Sequence, residues 1–129
     1  MDHKDIFEQT KKDLKGFKIL VTRLKASKST LEKDTFLSDE EKKLLEKKIK
    51  SDEIKLEKIK AALEFLTDID LKIITSIFFE NVTNKDMAAQ LNVSKEFILR
   101  HKSESVEKIA DIMSGHLIGS NLSLSYLQC

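Results

Sequence analysis

The stretch that decides the fold is Asn84-Lys-Asp-Met-Ala-Ala-Gln-Leu-Asn-Val-Ser-Lys-Glu-Phe-Ile-Leu-Arg-His-Lys102. Two short helical patterns meet at Asn92, a residue type that tolerates the left-handed conformation of a tight turn. Ser94 is a strong N-cap candidate for the second helix, because its hydroxyl can accept a hydrogen bond from a free backbone N–H. Ala88 is small where the helices should cross, and Ile98 faces back toward it. The pattern predicts a helix-turn-helix, whose second helix enters the DNA major groove. An ordinary helical hairpin with a solvated polar face is the alternative.

A further helix is predicted just upstream of this pair. Thr67 is its candidate N-cap, and Asp70 follows three residues later, as in a weaker form of the capping box. Apolar residues then recur at helical spacing, at Leu71, Ile74, Ile77 and Phe78. The chain breaks over residues 81–83, and Thr83 or Asn84 caps the next helix. The three helices together make the core that a DNA-binding domain of this kind requires.

One family shares this pattern of residues. The shared positions are Leu66, Thr67, Ile73, Ile74, Phe79, Glu80, Met87, Ala88, Leu91, Val93, Ser94, Lys95, Glu96, Ile98, Ile109 and Met113. Over these positions the chain resembles region 4 of sigma-70 family factors, the module that reads the −35 promoter element. The chain departs from the family's pattern at Asn92, where glycine is frequent, and at Phe97, where a polar residue is common. The resemblance implies an all-α DNA-binding domain from about residue 67 to residue 113.

The resemblance places Lys95, Glu96 and Arg100 at base-reading positions, with Leu99 at a further contact position of the family. Local charge adds two phosphate contacts, so the candidate DNA-binding set is Lys95, Glu96, Leu99, Arg100, Lys102 and Lys85. Arg100 suits the O6 and N7 acceptors of guanine, and Glu96 can accept from the N4 amino group of cytosine. Leu99 lies where the family often has a basic or polar residue. Lys102 and the helix start around residues 83–85 would hold phosphates.

The N-terminal half, residues 1–66, is predicted to be a helical arm. A first helix over residues 4–27 carries one apolar side, made by Phe7, Leu14, Phe17, Leu20, Val21 and Leu24. Residues 28–37 form a connection, part of which could be helical. The sequence Ser38-Asp-Glu-Glu41 is a capping box that opens a second helix, extending to about Phe65.

The second helix of the arm carries a narrow heptad seam. Its members are Leu45, Ile49, Leu56, Ile59, Leu63 and Leu66, and Asp52 interrupts them. Because the other positions are mostly Lys and Glu, this seam needs a partner. Either the first helix folds back as an antiparallel hairpin, or a second copy of the chain forms a homodimer. A homodimer would present two recognition helices to two DNA half-sites.

Composition limits the fold class. The chain has 129 residues, no proline and three glycines, and Lys, Glu, Leu and Ile dominate, which favours an all-α protein. The predicted organisation is an arm over residues 1–66, a helix-turn-helix domain over 67–113, and a tail over 114–129 with no assigned role.

The charge distribution raises a second functional hypothesis. Residues 1–66 hold 17 Lys and Arg against 14 Asp and Glu, whereas residues 67–129 hold 6 against 8. The predicted DNA-binding half is therefore slightly acidic, although phosphate neutralisation supplies much of the affinity for DNA. The alternative function is a protein-interaction module that binds RNA polymerase or an anti-sigma-like partner without reading DNA itself.

No pattern for catalysis, a cofactor or a metal stands out. His3, His101 and His116 lack metal-ligand spacing, and His101 is expected on the surface of the recognition helix. There is no glycine-rich phosphate loop. We therefore expect a non-enzyme. Cys129 is the single cysteine and there is neither a signal peptide nor a membrane-length apolar run, so a cytoplasmic protein is expected. Such a chain resembles the small regulators of phages and prophages that share this region of sigma factors.

Overall fold

The computed structural model describes residues 3–115, and every regular element in this range is helical. The elements are α1 (His3–Lys15), α2 (Phe17–Lys33), α3 (Asp39–Glu64), α4 (Asp68–Ile74), α5 (Asn84–Leu91) and α6 (Lys95–Ser114), with a π-helical turn (Thr75–Phe79) that continues α4. The all-α class is therefore confirmed. The tail predicted over residues 114–129 lies outside the described residues from residue 116 onward.

Side-chain caps set the start of four helices. The backbone N–H groups of Glu41, Asp70, Asp86 and Phe97 donate to the hydroxyls of Ser38, Thr67, Thr83 and Ser94, at 3.1, 3.3, 3.1 and 3.0 Å. At Ser38 the capping box is complete, because its own N–H donates to Glu41 Oε1 at 3.0 Å. Hydrogen bonds from the Ser38 backbone and side chain lower the pKa of Glu41. Of the two caps predicted for α5, Thr83 is the one used.

The prediction of one helix over residues 4–27 is wrong, because the helix breaks at Gly16. This residue has φ −88° and ψ 6°, and α2 begins directly after it. The break lets α1 pack against α6 and the π-helical turn while α2 packs along α3. The Phe17 ring stacks on the Phe79 ring just after the break, with centroids 4.4 Å apart. The second correction is that α2 continues to Lys33, so the connection is residues 34–38 and not 28–37.

The predicted seam of α3 is buried within a single chain. Its residues Ile49, Leu56, Ile59, Leu63 and Leu66 belong to one cluster with residues of α2 and α6. Asp52, which interrupts the seam, is 6% exposed. Its two carboxylate oxygens accept from Nε and Nη2 of Arg23 on α2, at 3.1 and 3.0 Å. A second copy is thus not needed to cover the seam, and the homodimer remains a prediction.

Two hydrophobic clusters organise residues 3–115. The larger one joins residues from both sides of the predicted boundary at residue 66, including Leu14, Ile59, Ile74 and Ile109. The smaller cluster contains Ile73, Met87, Ala88 and Ile98, which belong to α4, α5 and α6. The predicted arm and the predicted helix-turn-helix therefore share a core. None of the helices in residues 3–115 is both long and apolar enough to cross a membrane.

Candidate nucleic-acid interface

The turn between α5 and α6 has the backbone conformation that its sequence predicts. Asn92 adopts φ 57° and ψ 47°, in the left-handed region. The two N–H groups at the turn return to α5, since Asn92 donates to Ala89 O at 3.2 Å and Val93 donates to Ala88 O at 3.0 Å. Ile98 is fully buried in the same cluster as Ala88. The start of α6 is therefore held in a defined position against α5.

Four of the six candidate DNA-binding residues lie together on the first two turns of α6. Lys95, Glu96, Leu99 and Arg100 are exposed there, opposite the buried Ile98. Their spacing places them on one side of the helix. Leu99 is 39% exposed, which makes it an apolar residue within a charged surface. This surface, made by Lys95, Glu96, Leu99 and Arg100, is called the α6 face below.

A stack of side chains extends from Arg100 back into the protein. The Arg100 Cζ atom lies 5.8 Å from the centroid of the Phe97 ring, within the range of a cation–π contact. The Phe97 ring stacks on the His101 ring, with centroids 4.0 Å apart. His101 Nδ1 is 2.7 Å from Asp70 Oδ1 on α4. The Arg100 guanidinium therefore lies over a ring that is itself fixed to α4.

His101 was expected on the surface of the recognition helix, and the structure shows it only partly exposed. Its side chain is 23% exposed and that of Asp70 is 10% exposed, so the pair is largely removed from water. The two residues are 31 positions apart, and only the packing of α4 against α6 brings them together. The sequence carried one signal for Asp70, its place in the capping pattern after Thr67, but none for its pairing with His101.

Lys102 is placed differently from the other candidates. It is half-buried, and its Nζ donates to Asn84 Oδ1 at 3.3 Å, which joins α6 to the start of α5. Burial lowers the pKa of Lys102, and the charges of Lys11 and Lys15 on α1 lower it further. Lys85, the sixth candidate, is exposed beside Asn84 and is not part of the α6 face.

Sites for small ligands or metals are less well supported. A groove of about 180 Å³ between α1 and the end of α6 is lined in part by Ile6, Thr10, Asp13 and Met113. Ligand pockets are typically about 300–1,000 Å³, so this groove is small for a cofactor. Residues 3–115 contain no group of three His, Cys, Asp or Glu side chains that could hold a metal ion. The α6 face is therefore the stronger candidate site.

The choice of the α6 face as the candidate site rests on its side chains alone. Comparisons with protein-family models, with curated proteins and with solved structures found no match.

Proposed function

We propose that this protein is a sequence-specific DNA-binding transcriptional regulator, similar in layout to sigma-70 region 4 and of the phage or prophage type. The observation that carries the proposal is the α6 face. It presents exposed polar and charged side chains on a helix that a left-handed turn at Asn92 holds against α5. A helix held in this way, with its first turns free, is the arrangement by which helix-turn-helix proteins enter the major groove.

Each side chain has a role that fits its chemistry. Arg100 donates two hydrogen bonds to one guanine, and Glu96 accepts from a cytosine amino group. Lys95 lies one turn earlier on the same face, and Lys85 lies at the start of α5, where a cation suits a phosphate. The ring of Phe97 beneath Arg100 limits the conformations of a long side chain, which reduces the entropy lost on binding.

The position of the charges bears on the net acidity of residues 67–129. Of the eight acidic residues there, Asp70 is 10% exposed and lies 2.7 Å from His101, so its carboxylate faces α6 and not the solvent. On the α6 face itself, Lys95 and Arg100 outnumber Glu96, so the local charge is positive.

The test is selection from a pool of random duplex DNA at near-physiological salt, followed by sequencing of the retained fraction. An enriched motif supports the proposal, and a paired motif supports the homodimer. Arg100→Ala is expected to cost about 1–3 kcal/mol of binding free energy and to relax specificity at one base pair. If Arg100→Ala weakens binding to all sequences equally, the role assigned to Arg100 is wrong.

One observation favours the second candidate function, a module that binds RNA polymerase or an anti-sigma-like partner. Leu99 is 39% exposed at the centre of the α6 face, and an apolar residue there suits a protein surface better than a base edge. The salt dependence of the binding affinity distinguishes the two functions. Phosphate-mediated binding weakens steeply between about 50 and 200 mM salt, whereas an apolar protein contact is much less sensitive. A cytoplasmic location is part of either proposal.

A further inference from the structure

The stack of side chains that ends at Arg100 begins on α4, at Asp70. Asp70 lies in the first turn of α4, and its backbone N–H donates to Thr67 Oγ1 at 3.3 Å. Its carboxylate Oδ1 is 2.7 Å from His101 Nδ1, so an Nδ1–H donates to it across the two helices. The Asp70 side chain is only 10% exposed, so water competes little for this contact. Asp70 therefore fixes the orientation of the His101 ring.

The His101 ring in turn restricts the ring of Phe97, one helical turn earlier on α6. The two rings stack with centroids 4.0 Å apart and with 25° between their planes. Phe97 also packs against the smaller hydrophobic cluster, which contains Met87 and Ile98. A ring that is held both by His101 and by this cluster keeps one orientation.

The ring of Phe97 is the surface over which the Arg100 guanidinium lies, with Cζ 5.8 Å from the ring centroid. No carboxylate in residues 3–115 pairs with Arg100, so this ring contact restrains the side chain in the free protein. An exposed arginine without such a restraint samples many rotamers. Ordering a side chain of this kind on binding costs about 2- to 12-fold in affinity.

We infer that Asp70 and His101 are positioning residues for the base contact of Arg100, and that they act through the Phe97 ring. The inference rests on the proposed function and deepens it, because it names the residues that keep Arg100 ready for guanine. Base-reading groups need side chains around them that lock their conformation. The specificity of the α6 face is then set in part from α4, by a buried residue that does not touch DNA.

The experiment compares the affinity of the full chain for two duplexes that differ at the base pair read by Arg100. The duplex is the motif enriched from random DNA, and Arg100→Ala identifies the base pair. Asp70→Asn and His101→Phe should each lower the preference for guanine by about 2- to 12-fold, because the ordering cost falls only on the duplex that Arg100 contacts. In an Arg100→Ala background neither substitution should change the preference further.

Asp68→Asn is the matched control. Asp68 is an exposed acid in the same first turn of α4, and its substitution removes the same negative charge as Asp70→Asn. A general gain in attraction to phosphates is therefore shared by both variants and does not alter the preference between two duplexes. Circular dichroism checks the fold of each variant at the temperature of the binding assay. If Asp70→Asn does not fold, His101→Phe serves in its place.

A second measurement needs no DNA. The chain has two arginines, Arg23 and Arg100, so ¹⁵N relaxation of the arginine Nε–H groups follows two signals. Arg23 is held by Asp52 and is the internal reference. Asp70→Asn should lower the order parameter of Arg100 Nε and leave that of Arg23 unchanged, whereas Asp68→Asn should change neither.

The outcomes separate this inference from the proposed function. If the parent enriches a motif but Asp70→Asn weakens binding equally to both duplexes, the pair is only structural and the inference fails while DNA binding stands. An effect on the preference that persists in the Arg100→Ala background also refutes the inference. If the parent enriches no motif, the proposed function fails and the base-reading role fails with it. An unchanged order parameter of Arg100 Nε in Asp70→Asn overturns the positioning itself, whether or not the parent binds DNA.

Discussion

The pair formed by Arg23 and Asp52 allows a prediction whose size follows from the structure. Removing either partner leaves the other behind, and the two are buried to very different extents. The Asp52 side chain is 9% exposed and the Arg23 side chain is 44% exposed. Arg23→Ala therefore leaves a buried carboxylate without its partner in the seam of α3. Asp52→Leu leaves an unpaired guanidinium that water can reach.

The expected costs differ accordingly. Hydrogen bonds to charged groups contribute about 1.5–3 kcal/mol, and screening at the half-exposed Arg23 favours the lower part of this range. We expect Arg23→Ala to lower the free energy of unfolding by about 2 kcal/mol. For a chain of this size that is a fall of roughly 6–10 °C in melting temperature. Asp52→Leu should stay within about 1 kcal/mol of the parent, because a leucine completes the apolar seam.

Urea unfolding followed by circular dichroism measures both variants. Lys28→Ala is the control, since it removes a pair with Glu53 of similar length, 2.9 Å, whose side chains are 52% and 46% exposed. It should change stability by no more than about 0.5 kcal/mol. The reasoning is refuted if Asp52→Leu lowers the free energy of unfolding as much as Arg23→Ala. Burial would then not determine which unpaired partner destabilises the fold more.

Three further predictions concern single sites. The Ser105 hydroxyl is buried without a hydrogen-bond partner in residues 3–115, so Ser105→Ala should raise the free energy of unfolding by about 1 kcal/mol, more than the exposed control Ser103→Ala in urea titrations. Asp70→Asn should lower it by about 1–2 kcal/mol by weakening the contact with His101, and an unchanged urea midpoint would contradict that role. The pKa of Glu41 is lower in the folded chain, so its stabilising effect is present above its ordinary pKa and is lost as pH falls through the lowered value. Melting temperatures of the parent and Glu41→Ala should therefore differ at neutral pH and converge in acid, below the lowered pKa of Glu41; a gap that persists there would contradict the assignment.

Local signals in the sequence were sufficient where a feature depends on neighbouring residues. The caps at Ser38, Thr67 and Ser94 and the left-handed Asn92 each depend on a few adjacent positions, and each was predicted correctly. The exposed side chains of the α6 face followed in the same way from helical periodicity around the buried Ile98.

Contacts between distant helices could not be predicted in this way. A glycine inside a helix costs only about 1 kcal/mol, which does not decide by itself whether the helix breaks. At Gly16 the helix breaks where the two flanking helices have different packing partners: α1 packs against α6 and the π-helical turn, and α2 packs against α3. The ring of Phe17, directly after the break, stacks on that of Phe79. The inward position of Lys102 and the pairing of His101 with Asp70 likewise depend on how α1, α4 and α5 pack around α6.

Helix α6 connects these features, because it contacts α1, α3, α4 and α5. Its first turns belong to the smaller cluster through Ile98, whereas Val106 and Ile109 further along belong to the larger cluster with α1, α2 and α3. A fragment that began at residue 67 would leave Val106 and Ile109 without most of their apolar partners, and exposing such side chains costs about 1.5–3 kcal/mol each. The orientation of the α6 face is therefore set by the whole helical assembly, and the hairpin of α2 and α3 stabilises the surface that we propose meets DNA.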